Sequence, residues 1–300
     1  MIKVVFYISF VSVIYCCASS ISAEEFFAMG TAYYELGKFA EAEKWFAKAS
    51  AIKKTMNASE YNLGRIAFET KRYEEALRHF EKLVKADPQN VMALKAAAYT
   101  EIMRENYTKA DEYYKRVLEL EPESADEGYN RALVLYKMKK YNEAEEILNK
   151  YSYSMPENKN NVLLLARLQS AQKKVEALET YATWLSVSQD PQVRYEYIML
   201  LYGNTYYARA IEEAKKLVAE VSADTATLKR ADIQFLLARL LLTADPENPD
   251  GMTELQNAVN SGFNDLNALD ALVKDPNVKK SNLTEIQNII ANVIAQQKKD

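Results

Sequence analysis

An all-α solenoid of stacked two-helix units is the architecture this sequence predicts, and three observations carry it. Ala42, Ala76, Ala110 and Ala144 recur at a fixed step of 34 residues. Phe39, Tyr73, Tyr107 and Tyr141 keep the same step three residues ahead of them, and Pro88, Pro122 and Pro156 keep it behind. The composition agrees: 49% of the 300 residues are hydrophobic and only 7 are Gly and 7 Pro, which favours helix throughout. A period of this length marks supersecondary units that bury their apolar faces by stacking on one another.

The chain opens on a different pattern. Lys3 precedes an apolar run from Val4 to Tyr15 and then the small, polar stretch from Ala18 to Ala23. That order of regions is a secretory signal, residues 1–23, with Ala23 as the expected last residue before the cut. Two alternatives stay open. The run from Val4 to Ile21 approaches the length of a membrane anchor, and Cys16 or Cys17 offers a site for lipid attachment, although Tyr15 is bulky where a small residue is expected. The expectation is an exported protein, periplasmic or secreted, with membrane association only through this segment. Both cysteines of the chain lie within it, so the remainder relies on packing without disulfides.

Residues 24–224 are expected to form six units. In the first, one helix runs from Glu25 to Leu36, Gly37 and Lys38 turn, and a second helix runs from Phe39 to Ala51. The second unit carries Leu63, Gly64, Tyr73, Ala76, Phe80 and Pro88; the third, Leu94, Ala98, Tyr107, Ala110, Tyr114 and Pro122. The fourth carries Ala132, Leu135, Tyr141, Ala144, Leu148 and Pro156. Gly30, Gly64, Ala98 and Ala132 are small where two helices must approach closely. The alanines sit at helix crossings where a larger side chain would overpack by roughly 1–3 kcal/mol. The aromatic residues cover the turns, and the late prolines stop the second helices.

Beyond Pro156 the pattern weakens. Ala166, Val175 and Ala177 fit a fifth unit shortened by about one residue in its turn, and Leu201, Tyr207 and Ala210 fit a sixth, with Pro191 between them. Residues 225–300 are expected to hold an irregular seventh unit and a helical cap. Its parts are a long helix from Thr225 to Thr243, a loop from Asp245 to Gly251, a short helix from Met252 to Asn260, and capping helices beyond Phe263. Ser281 to Glu285 supplies a candidate N-cap region for the last of these.

The run Phe26-x-x-Met29-Gly30-x-x-Tyr33 followed by Ala42-x-x-x-Phe46 resembles the tetratricopeptide repeat. The resemblance implies a right-handed α-solenoid of six or seven such units. It also implies that the first helix of each unit lines a concave surface for a ligand. Carrying the family's groove positions over unit by unit points to Phe27 and Tyr34, then Tyr61, Arg65 and Phe68. The third unit offers Lys95, Tyr99, Ile102 and Met103, and the fourth Tyr129, Leu133 and Tyr136. Leu163 and Arg167 follow in the fifth unit, and Tyr195, Met199 and Tyr202 in the sixth. Tyrosine suits such a surface because it buries a large area with few rotors and keeps a polar tip. The competing account is that these rings pack against neighbouring helices. Family members that clamp a terminal carboxylate use Lys and Asn where this chain has Phe27 and Thr31, so Arg65 and Lys95 alone do not rebuild that clamp.

Other chemistries find little support. A net charge of −4 gives no basic stripe for nucleic acid. There is no Gly-rich phosphate loop, no metal-spaced cluster and no nucleophile–base pair, so neither catalysis nor a cofactor is expected. His79, the single histidine, is expected on a solvated face. The acidic pairs Glu74–Glu75, Glu145–Glu146 and Glu212–Glu213 diverge by about 100° on their helices and are expected to be solvated as well. The resulting expectation is a non-enzymatic scaffold that holds a protein or extended peptide in an aromatic-lined groove, its orientation fixed by Arg65, Lys95 and Arg167. The alternative is a carrier enclosing a small apolar ligand in the superhelical channel.

Overall fold

The computed structural model describes residues 21–52, 56–152 and 158–297. The expected targeting segment up to Ser20, with Cys16 and Cys17, lies outside the described residues, as does Pro156. The described residues are helical, with no strand among them, and fall into two compact units, within Met1–Pro156 and Glu157–Asp300.

Among the described residues the first unit holds eight helices: α1 (Ala23–Glu35), α2 (Phe39–Ser50), α3 (Met56–Glu69), α4 (Tyr73–Ala86), α5 (Val91–Met103), α6 (Tyr107–Leu120), α7 (Ala125–Lys137) and α8 (Tyr141–Ser152). Ser22 caps α1: its hydroxyl accepts from the Glu25 N–H at 3.1 Å while the Glu25 carboxylate accepts from the Ser22 N–H at 2.7 Å. This reciprocal pair satisfies two otherwise orphaned backbone donors.

The 34-residue period is written into the backbone. Gly37, Lys71, Glu105 and Lys139 all adopt φ near +60° to +70°, one at each turn between a first and a second helix. In each, the following residue donates back across the turn, as Arg72 does to the Ala67 carbonyl at 2.7 Å and Lys140 to the Leu135 carbonyl at 2.9 Å. These are left-handed C-terminal caps, which glycine enters freely and other residues only at a cost of about 1 kcal/mol. Only Gly37 has the residue type the geometry favours.

A second recurring device straddles the same turns. Tyr34 packs on Phe39 at 5.5 Å, Phe68 on Tyr73 at 5.4 Å and Tyr136 on Tyr141 at 5.8 Å between ring centroids. Behind them, Ala42, Ala76, Ala110 and Ala144 are fully buried at the crossings, as expected. A Cβ on Gly64 would lie 2.6 Å from the Phe80 ring, so that position admits no side chain. Helices α4 and α6 end at Ala86 and Leu120, just before Pro88 and Pro122.

The second unit begins with α9 (Lys159–Ala171), α10 (Ala177–Val187), α11 (Pro191–Gly203) and α12 (Tyr207–Glu220). Lys173 takes φ +60°, still 34 residues after Lys139, and Thr205 takes φ +65°, 32 residues after Lys173. The fifth turn is therefore not shortened, contrary to expectation. The two missing residues fall after it, across α10 and the link to α11. Asp190 caps α11, accepting from Gln192 and Val193 N–H groups, with Pro191 at the first helical position.

Helices α13 (Arg230–Ala244), α14 (Asp250–Asn260), α15 (Leu266–Lys274) and α16 (Lys280–Gln297) complete the unit. The long helix starts five residues later than expected because Thr225 closes a turn on Leu228, its hydroxyl accepting from the Leu228 N–H at 2.9 Å. Nearly every side of α13 is buried. Ile233, Leu236, Leu237, Leu240 and Leu241 join the core formed with α10–α12, while Phe235, Ala238 and Leu242 join a separate core with α14–α16. Phe235 stacks on Phe263 at 4.0 Å there. The last helix begins at Lys280, so Ser281 to Glu285 lie inside it and do not form its cap. No described helix is long and apolar enough to cross a membrane.

Candidate partner-binding surface

The first helices of the first unit, α1, α3, α5 and α7, carry most of the residues singled out from the sequence. Phe27 packs edge-on against Phe46 at 5.3 Å, and Tyr61 tilts over Phe80 at 5.6 Å. Both are half-buried, Phe27 in the cluster shared by α2 and α3 and Tyr61 in that shared by α3, α4 and α5. Tyr34, Phe68 and Tyr136 are half-buried on their turn partners, and Tyr129 is half-buried on α7.

Contacts also run from one first helix to the next. The Arg65 guanidinium lies 4.5 Å above the Tyr34 ring and donates to its hydroxyl at 3.0 Å. Phe68 meets Tyr99 at 5.3 Å. Tyr99 is 52% exposed and Met103, one helical turn further on, 41% exposed. A ring and a thioether thus stand open to solvent on an aromatic base, with an exposed arginine held in place nearby.

Lys95 is engaged within the protein: its ammonium pairs with Glu121 at 2.8 Å and Glu127 at 3.2 Å. Partial burial draws its pKa down, and the hydrogen bonds to the two carboxylates outweigh that effect and leave it above its ordinary value. In the second unit Arg167 forms a two-pronged pair with Glu196 at 2.9 and 3.0 Å. Both cations are half-buried, whereas Arg65 is exposed. Tyr195 packs at the edge of the core of α10–α13, and Tyr202 lies between Tyr207, 5.6 Å away, and Arg239, 5.3 Å above its ring.

Two expectations are corrected. His79 is not simply solvated: its Nδ1 lies 2.8 Å from the buried Glu60 carboxylate, which also accepts from Lys82 at 2.5 Å and Ser50 at 3.1 Å. Burial pushes the Glu60 pKa up, but Lys82 and His79 outweigh it and hold the carboxyl below its ordinary value. His79 and Lys82 lie three residues apart on one helix face, the one hint the sequence offered, but their partner is on the preceding helix. Glu213 is likewise buried and meets Arg194 and Lys216, while Glu212 stays exposed.

Left-handed turns at a fixed step, paired helices and an aromatic face on alternate helices define a helix-pair repeat protein. Residues 27–91 and 101–168 each match a model of the tetratricopeptide repeat. The chain therefore carries tetratricopeptide repeats over these residues, which supports a protein-interaction scaffold. A search of curated proteins found no match. Among solved structures, a tetratricopeptide repeat protein from Parabacteroides merdae is similar over 84% of this chain and 97% of its own, at 21% identity and TM-score 0.61. Pseudomonas aeruginosa pilF is similar over 77% of this chain and 96% of its own, at 22% identity and TM-score 0.54. YrrB, described as a tetratricopeptide repeat protein with an unusual peptide-binding site, covers 64% of this chain and 96% of its own at 16% identity and TM-score 0.53. At these identities the likeness concerns the fold.

Proposed function

We propose that the chain is a non-catalytic scaffold that holds an extended segment of a protein partner against the aromatic face of α1, α3, α5 and α7. The observation that carries this reading is the exposed Tyr99 seated on Phe68, with the exposed Met103 one helical turn further on and Arg65 held over Tyr34. A tyrosine held on a rigid base buries a large area with little rotamer entropy to lose, and a flexible methionine beside it adapts its shape to the partner. Phe27, Tyr61, Tyr129 and Tyr136 supply the flanking walls, and Tyr195 and Tyr202 occupy the corresponding helix positions in the second unit. That YrrB is described as having a peptide-binding site supports the capacity of the fold for such a ligand.

The apolar stretch from Val4 to Tyr15 supports action outside the cytoplasm after export, and mass spectrometry of the mature N-terminus distinguishes cleavage, lipidation and retention. The binding surface is tested by a photo-crosslinking amino acid placed at position 99 and, separately, at the exposed Lys115 of α6. The reading expects a discrete partner adduct from position 99 only. Equal adducts from both positions, or none from position 99, would contradict it.

A further inference from the structure

The second unit contains a cleft that the aromatic face does not use. It lies between α10 and α12 over α11, where two cavities share Ala182 and Arg209 as walls. The larger, about 490 Å³, is lined by Val175, Leu178, Leu201 and Tyr206, with the exposed Glu176 and Glu179 beside them. Val175 and Tyr206 are themselves exposed apolar groups. The smaller, about 260 Å³, is polar: Arg194, Arg209 and Lys216 face Glu213, Ser186 and Tyr197.

Two independent observations point to a ligand at the smaller cavity: a buried hydroxyl without a partner and an exposed cation without a carboxylate among the described residues. Tyr197 is 1% exposed, and its hydroxyl is buried with no hydrogen-bond partner among the described residues. Buried hydroxyls are ordinarily satisfied, because an unmade bond forfeits the hydration that burial removed. Arg209 lies 5.4 Å above the Tyr197 ring and has no ion pair among the described residues. The other cations are committed: Arg194 to Glu213 and to Glu220 at 2.9 Å, Lys216 to Glu212 at 2.8 Å and Glu213 at 2.9 Å.

We propose that this cleft binds an acidic peptide segment, with a carboxylate side chain on Arg209 and the Tyr197 hydroxyl and a neighbouring apolar side chain in the larger cavity. The Tyr197 hydroxyl is free to donate, and Arg209 is the lining cation that no carboxylate among the described residues engages, so the complementary ligand group is an acceptor anion. A phenol is protonated at neutral pH, and burial pushes the Tyr197 pKa further above its ordinary value. The apolar chamber next door requires more of the ligand than a bare anion. The site is separate from the first-helix face, because Arg194, Tyr197 and Leu201 form a different stripe of α11 from Tyr195 and Tyr202.

The test uses the full chain on an array of immobilised peptides that carry one leucine and one glutamate at varied spacing in a glycine–serine background. The expected result is binding at a preferred spacing that is lost when glutamine replaces glutamate. Arg209→Gln should weaken it roughly tenfold or more, and Tyr197→Phe by roughly three- to tenfold. Both variants should keep the wild-type circular dichroism, since Arg209 is exposed and the Tyr197 hydroxyl has no partner to lose. Tyr99→Ala should bind the same peptides as the wild type, which separates this site from the first-helix surface. Free glutamate in excess should not displace the peptide. No binding, equal binding of glutamine peptides, indifference to Arg209→Gln, or displacement by free glutamate would each overturn the proposal.

Discussion

The two units solve the same packing problem differently. In the first, the buried residues form small clusters, each shared by neighbouring helices, and the turns repeat: a left-handed residue and a buried alanine at all four, with a ring pair across three of them and Ile102 in place of a ring at the Glu105 turn. In the second, the period slips by two residues after Lys173, and one helix, α13, is apolar on nearly all sides and serves two large cores at once. The difference is one of cooperativity. A stack of local interfaces distributes its stability along the chain, whereas a shared central helix makes one element necessary to everything packed on it.

The largest expected effect follows from that contrast. Leu241→Ala removes a fully buried side chain from α13 and should cost about 2–5 kcal/mol. Hydrogen exchange should show protection lost throughout α10–α14 while α1–α6 keep theirs. Uniform loss across all helices would erase the distinction between the units. The matched change in the first unit is Ala110→Leu, which overpacks a fully buried crossing by roughly 1–3 kcal/mol. Its exchange footprint should stay within α5–α7.

What the sequence reveals differs between the units for the same reason. The 34-residue step placed the helices and turns of the first unit within a residue or two, because each contact there joins positions at a constant spacing. Lys173 preserved that step, but the two-residue loss beyond it left Ala177 and Val175 as misleading guides. The surroundings of α13 have no period to read, since a helix buried all round shows no amphipathic stripe. Side chains were legible by position and not by role. Tyr34, Phe68 and Tyr136 were named for a groove, and the structure shows each also bracing its own turn. Lys95 and Glu60 owe their surroundings to carboxylates and cations on other helices, which no local spacing encodes.

The Glu60 cluster supplies a pH-dependent comparison. Its folded pKa lies below the ordinary carboxylate value, so its contribution is fully present above the unfolded pKa and is lost as pH falls through the folded one. Glu60→Gln should destabilise the first unit by about 1–3 kcal/mol at neutral pH, and denaturation midpoints of variant and wild type should converge on acidification below the carboxylate range. A constant gap across pH would remove the charge from the explanation. The smallest effect concerns the turns. Lys71→Gly relieves a left-handed residue at φ 61° and should stabilise by about 1 kcal/mol, read from the urea midpoint. Loss of stability would mean that the Lys71 side chain outweighs its backbone strain.

The most direct test of the binding account measures affinity for the partner captured at position 99. Tyr99→Ala with Met103→Ala should weaken it at least about tenfold with circular dichroism unchanged, while Lys115→Ala should leave it as it was. Wild-type affinity in the folded double variant would contradict the account.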